Sequence, residues 1–234
     1  MEQSPAPFAP SDSQLMPTRP NRLFLLPLLA LLFAQSAWAG IVIEGKVALP
    51  EARPPAVAAR YQQISGEIAT PEPPAAIVFL EGSFSLGAKG KPGPTPLAQK
   101  GYQFAPGLLA IRIGDEVEFP NLDDDYHHVF SYSKTKSFDL GRYRMGEAAP
   151  KIVFDAAGAV IVGCEIHDHM RGTILVLETP YFVKSSATGS YRLEIPDNLD
   201  GNFILKAWIS DRKVYQQPVE LHDGATLTVN FPGP

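Results

Sequence analysis

One short segment of the chain carries three side chains of the kinds that bind soft metal ions. Cys164, His167 and Met170 lie within seven residues, between two segments that are predicted to be strands. A thiolate, imidazoles and a weak axial thioether are the ligands of a mononuclear copper site that transfers electrons. Such a site needs a second histidine, and His127 and His128 are the only histidines upstream of the segment.

Each of these residues also has an ordinary structural explanation. Cys164 is the only cysteine in the chain, and an unpaired cysteine is often a small buried apolar side chain. Met170 alone would be read as a core residue. Zinc is a second metal candidate, although structural zinc sites usually have two or more cysteines or a closed Cys/His tetrad, and a thioether is a poor zinc ligand. The combination on one loop therefore favours copper.

The elements that must position these side chains are predicted to be strands. Runs rich in Val, Ile, Phe and Tyr alternate with clusters of Gly, Pro, Asn and Asp, and no long stretch has a helical apolar period. The sequence therefore predicts an all-β fold. The predicted strands are 41–49, 75–81, 108–113, 116–119, 128–132, 151–154, 160–164, 173–178, 190–195, 202–208, 214–220 and 225–231.

Residues 1–39 have the pattern of a secretory signal peptide. Arg19 and Arg22 precede an apolar run, and a small-x-small cleavage site ends directly before Gly40. The run is shorter than the roughly 20 residues that a membrane-spanning helix needs. We therefore expect a mature chain from Gly40 that is periplasmic or secreted and has no membrane anchor. The net charge of −5, without a cluster of Lys and Arg, argues against a nucleic acid partner.

The region 96–178 resembles the cupredoxins, most closely the plastocyanin and amicyanin group of blue copper proteins. Cys164, His167 and Met170 match the Cys-x-x-His-x-x-Met spacing of amicyanin. Similar strings occur in a plastocyanin-like group known as methylamine utilization proteins. The other matching segments are Phe104-Ala105-Pro106, Gly114-Asp115-Glu116-Val117-Glu118-Phe119, Asn121, His127-His128-Val129, the turn-like Phe138-Asp139-Leu140-Gly141, and Phe154 with Gly158, Val160 and Val162.

The resemblance implies a Greek-key β-sandwich with one type 1 (blue) copper ion. In that alignment the ligands are His127, Cys164, His167 and Met170, and the protein passes single electrons between protein redox partners. His167 would be the electron port, because the corresponding ring edge reaches the surface in the family. An enzyme is not expected, since four protein ligands leave no open position for a substrate.

Residues around the expected site depart from the family pattern. His128 stands where an Asn usually ties the two ligand loops together, Asp168 replaces a common Pro, and His169 adds an imidazole. Asn121 matches the family, and we expect these four residues next to the ligands or at the rim of the site. The run Asp123-Asp124-Asp125 fits either an acidic docking patch or, as we favour, a solvated turn.

The two ends of the mature chain resemble parts of a carboxypeptidase-regulatory or transthyretin-like sandwich. Residues 179–234 supply only four predicted strands, which is few for an independent sandwich, and residues 40–85 can supply the missing ones. We therefore expect the cupredoxin domain, 96–178, to be inserted in or joined to a second small β-sandwich. That second module has no catalytic constellation.

Three functions are open at this point. An exported electron carrier is favoured. A protein that binds and delivers copper would bind it weakly and without stable blue colour. A non-catalytic β-sandwich scaffold with a vestigial site would bind none.

Overall fold

The computed structural model describes Met1, Phe84 and residues 40–52, 68–82, 93–195, 199–210 and 212–232. Apart from Met1, the predicted signal peptide lies outside these residues. The described residues contain strands and no helix, so the predicted all-β class is confirmed. A helix long and apolar enough to cross a membrane does not occur among them.

The strands fall into two sandwiches. The central sandwich contains the strands β3 Thr95–Pro96, β4 Ala98–Gln99, β5 Phe104–Ala105, β6 Leu108–Arg112, β7 Glu116–Glu118, β8 His127–Tyr132, β9 Ser137–Tyr143, β10 Lys151–Val153, β11 Gly158–Cys164 and β12 Arg171–Leu177. The flanking sandwich contains β1 Ile41–Lys46, β2 Ile77–Glu81, β13 Phe182–Lys184, β14 Ser190–Ile195, β15 Gly201–Ser210, β16 Lys213–Leu221 and β17 Thr226–Thr228.

The central sandwich consists of a five-stranded sheet in the order β6-β12-β11-β8-β9 and smaller sheets β10-β7-β3 and β4-β5. Its core is one cluster of buried apolar side chains that also includes Cys164 and Met170. Strands β11 and β12 form an antiparallel pair, and β11 also pairs with β8. This order places the end of β11 next to the start of β8.

The flanking sandwich is built from both ends of the described chain. Strand β1 pairs with β14 and β17, and β2 pairs with β13 and β15. Their inward side chains form a separate buried cluster that includes Ile43, Leu193 and Leu205. This pairing is the one that an inserted central domain would give. The domain boundaries and the transthyretin-like assignment stay predictions.

Strand β12 contributes to two cores. Ile174 and Val176 point into the core of the central sandwich. Leu175, between them, belongs to a third cluster with Ile77 and Trp208 of the flanking sandwich. Alternate residues of a strand face opposite sides of its sheet, and both sides of β12 are covered. This explains why residues 174–177 of the strand form an unbroken apolar run rather than an alternating pattern.

Candidate metal centre

The backbone brings the predicted ligands to one end of the central sandwich. His127 is the first residue of β8, and Cys164 is the last residue of β11. The two strands are hydrogen-bonded neighbours, with Cys164 opposite Val129. His167 follows in the loop after β11, and Met170 directly precedes β12.

The ligand atoms of three side chains converge. Cys164 Sγ lies 3.6 Å from His127 Nδ1 and 3.8 Å from His167 Nδ1, and the two Nδ1 atoms are 3.1 Å apart. The centre of this triangle is about 2.0 Å from each atom, which compares with roughly 2.0–2.1 Å for zinc–nitrogen and 2.3 Å for zinc–sulfur bonds. His127, Cys164 and His167 therefore form a buried cluster that can hold a metal ion.

Met170 lies close by in the chain and in the core. Its side chain is fully buried in the same apolar cluster as Cys164. Its backbone amide donates a hydrogen bond of 2.9 Å to the carbonyl of His167. This bond closes the ligand loop into a turn before β12 begins. The role of Met170 as fourth ligand stays a prediction.

A buried carboxylate holds the outer nitrogen of His127. Asp123 Oδ2 lies 2.9 Å from His127 Nε2, and both side chains are buried. The backbone amides of Gly101 and Tyr102 donate to the same carboxylate. Burial opposes ionisation of Asp123, but the bonds from His127, Tyr102 and Gly101 outweigh it and hold the pKa of the carboxyl below its ordinary value.

The metal-free cluster is a coupled acid–base group. Burial alone would raise the pKa of the Cys164 thiol, but hydrogen bonds with His127 and His167 lower it to about 5. Burial likewise disfavours a charged His127, while its bonds to Asp123 and Cys164 raise its pKa to about 9. At neutral pH these pKa values pair a Cys164 thiolate, the form that binds metal, with a protonated His127, which must lose its proton when a metal binds.

His128 replaces the expected Asn in a different way. Its Nδ1 lies 2.7 Å from Glu165 Oε2, and its Nε2 contacts Asp139 Oδ1. Glu165 follows Cys164, so this contact ties the loop of His127 to the loop of Cys164. Burial lowers the pKa of His128, but the two carboxylates outweigh it and raise that pKa. The two ligand loops, which an Asn usually ties together in the family, are therefore connected here by a histidine–carboxylate pair.

The other predicted neighbours lie around the cluster. Asn121 accepts from the amide of Asp123 and donates to the carbonyls of Asp125 and Tyr143, so it shapes the loop rather than contacting a ligand. Asp168 is exposed at the rim. His169 is half-buried, with its Nε2 3.1 Å from the carbonyl of Tyr102, and burial is the largest cause of its lowered pKa.

His167, the expected electron port, is almost fully buried. Its exposed fraction is 3%, so at most a small edge of the ring reaches the surface. Its outer nitrogen, Nε2, faces Asp125 Oδ2 at 3.7 Å. The ring of Tyr102 packs edge-on against it, with a centroid distance of 5.0 Å. The role of His167 as electron port stays a prediction.

The sequence patterns do not identify two side chains that contact the ligands, Tyr102 and Asp123. Tyr102 packs on both ligand imidazoles, at 5.9 Å from the His127 ring and 5.0 Å from the His167 ring. Asp123 was interpreted as part of a solvated turn, which is wrong because its side chain is buried on His127. The only sequence signal for it is an Asp four residues before a candidate ligand.

Comparisons with known proteins give partial structural matches. No family model and no curated protein matches the chain. A copper-containing nitrite reductase from Thermus scotoductus SA-01 is 28% identical over 42% of this chain and 26% of its own, with a TM-score of 0.36. A Cu(I) form of an amicyanin variant is 18% identical over 42% of this chain and 97% of its own, with a TM-score of 0.34. At these scores the assignment of the fold rests on the strands of the chain itself.

Proposed function

We propose that this protein is an exported cupredoxin that carries single electrons on one type 1 copper ion. The observation that carries the proposal is the buried triangle of His127 Nδ1, Cys164 Sγ and His167 Nδ1. Met170 is the proposed axial ligand. A trigonal His₂Cys set with a weak axial thioether is the donor set of blue copper centres.

The chemistry of the donors supports copper over zinc. The cluster offers one thiolate and two imidazoles on the described residues, whereas structural zinc sites usually close a tetrad with several cysteines. The neighbouring sulfur of Met170 suits a soft metal ion. Copper, when bound, supplies one-electron chemistry between Cu(I) and Cu(II).

The chain's own residues support electron transfer over catalysis. The proposed ligands Cys164, His127, His167 and Met170 are each at most 3% exposed, so a substrate would have to displace one of them. His127 and Cys164 are held by neighbouring strands, and the His128–Glu165 contact ties their loops together. A rigid ligand frame changes little when an electron arrives, and this keeps the reorganisation small.

The location and the partners belong to the same proposal. The signal-like pattern in residues 1–39 supports export to the periplasm or the exterior. The electron donor and acceptor are proposed to be proteins. The flanking sandwich is proposed as a docking or scaffolding module.

Stoichiometric redox cycling tests the function. Mature protein loaded with one equivalent of Cu(II) is titrated with a one-electron reductant and then with ferricyanide, while the sulfur-to-copper absorption is followed. An electron carrier takes up one electron per copper and recovers the full absorption over repeated cycles. Loss of copper to a Cu(I) chelator after the first reduction would favour copper delivery and contradict the carrier.

A further inference from the structure

The outer nitrogens of the two ligand histidines face acidic side chains from one loop. Asp123 Oδ2 lies 2.9 Å from His127 Nε2, and Asp125 Oδ2 lies 3.7 Å from His167 Nε2. Only the first distance is that of a hydrogen bond. The Asp123 side chain is 9% exposed, whereas that of Asp125 is 41% exposed. The contact of Asp123 is therefore the one that solvent screens least.

We propose that Asp123 is a positioning residue that turns Nδ1 of His127 toward the metal and lowers the reduction potential of the centre. The inference rests on the proposed copper site. A ligand histidine keeps the orientation that the hydrogen bond on its other nitrogen dictates, and a carboxylate there raises its basicity. A stronger donor beside a negative charge stabilises Cu(II) more than Cu(I).

The carboxylate is itself held in place from several sides. The amides of Gly101 and Tyr102, two successive residues, donate to its two oxygens, and the amide of Asp123 donates to Asn121 Oδ1 at 2.9 Å. A carboxylate fixed in this way cannot move to follow a change of charge on the metal.

The residues that donate to Asp123 adopt an unusual backbone conformation. Gly101 has a φ of 61° and Tyr102 a φ of 56°, the latter being the non-glycine residue with positive φ in the described part of the chain. A tyrosine in this region is strained and persists only where the surroundings enforce the conformation. In this conformation both amides point at Asp123, and the Tyr102 ring makes edge contacts with the imidazoles of His127 and His167. Such strain is typical of functional sites.

Charge-neutral variants at neighbouring positions separate the contact from the general acidity of the loop. Asp123→Asn removes the negative charge at His127 and keeps one oxygen that can accept from a backbone amide. Asp124→Asn removes the same charge one residue away, at an exposed side chain. Both purified mature variants and the wild type are loaded with Cu(II), and their reduction potentials and Cu(II) affinities are measured.

We expect Asp123→Asn to bind Cu(II) 10-fold to 100-fold more weakly, the usual loss for a hydrogen-bonding partner of a ligand. Where Cu(I) affinity is unchanged, each tenfold loss raises the potential by about 59 mV. Asp124→Asn should change the Cu(II) affinity less than twofold, which corresponds to less than about 18 mV in the potential. Equal shifts in the two variants, or a lower potential in Asp123→Asn, would overturn the inference. A wild type that binds no copper through Cys164 would end the proposed function itself, together with this inference.

A measurement on the wild type covers the case in which Asp123→Asn fails to fold. In the diamagnetic Cu(I) form, nitrogen-edited NMR is expected to show a proton on His127 Nε2 that is protected from exchange with water. A second variant, Asp123→Glu, keeps the charge and should retain a potential nearer to that of the wild type than to that of Asp123→Asn. A His127 ring with its proton on Nδ1, or with a freely exchanging Nε2 proton, contradicts the proposed contact.

Discussion

The packing of strand β12 against the flanking sandwich can be tested at one side chain, Leu175. This residue is 4% exposed and belongs to the cluster that also holds Ile77, Leu177 and Trp208. Replacement by alanine removes buried methyl groups and leaves a cavity between strands of different sandwiches. Buried Leu→Ala changes cost about 2.7–5.0 kcal/mol, depending on how far the surroundings relax.

We expect Leu175→Ala to lower the free energy of unfolding by about 3 kcal/mol. This value is in the lower part of the range because the cluster around Leu175 is small. For a chain of this size, this corresponds to a fall in Tm of about 6–12 °C. Urea unfolding of the metal-free mature protein, followed by circular dichroism, measures the change. Trp208 is the one tryptophan after Gly40, and its fluorescence reports on the cavity directly.

Ile174→Ala is the matched control, because this neighbour points into the core that contains Cys164. It should destabilise the protein to a similar degree without shifting the emission of Trp208. Leu175→Ala should shift that emission and leave the absorption of the copper-loaded protein unchanged. A destabilisation below about 1 kcal/mol for Leu175→Ala, or no change at Trp208, would refute the packing of β12 into two cores.

Three further outcomes test other parts of the structure. Met170→Leu, a core swap that costs less than about 1.5 kcal/mol, should leave the metal-free stability almost unchanged but alter the absorption spectrum of the copper form. Gly45→Ala should reduce the free energy of unfolding by about 3 kcal/mol, because the added Cβ would lie 1.9 Å from the carbonyl oxygen of Val229. Gly107→Ala serves as its control, because a Cβ at that position meets only an ordinary contact. Burial raises the pKa of Tyr191 above its ordinary value, so stability should be lost as pH rises above about 10, where the unfolded chain ionises first. Urea unfolding at pH 9 and pH 11 checks this, and Tyr191→Phe should weaken the pH dependence.

The sequence predicts the strands and the proximity of Cys164 to His167 for physical reasons that act locally, whereas the choice of His127 as a ligand rested on the family resemblance. Runs of β-branched and aromatic residues between turn residues indicate strands without any knowledge of their partners. The short spacing from Cys164 to His167 keeps these two ligands together in any fold. The number of strands at the C-terminal end was too small for a core, and this indicated that the N-terminal strands complete it.

Other features depend on contacts between distant parts of the chain. The segment Phe138-Asp139-Leu140-Gly141, expected to be a turn, lies within strand β9. The pairing of β9 with β8 is irregular between His128 and Phe130, and the positive φ of Gly141 falls at this irregularity. The role of Asp123 depends on the amides of Gly101 and Tyr102, about twenty residues away, and no local pattern shows that approach. The burial of His167 likewise follows from packing by Tyr102, which the spacing of the ligands does not reveal.

The most direct test of the central claim is a visible absorption titration of the purified mature protein with Cu(II), in parallel with a Cys164→Ser variant. A copper centre built on Cys164 should give an intense blue or green sulfur-to-copper band that reaches its endpoint at one equivalent, bleaches with a reductant and is absent from the variant. A wild type without this band, or a Cys164→Ser variant that retains it, would contradict a copper centre built on Cys164.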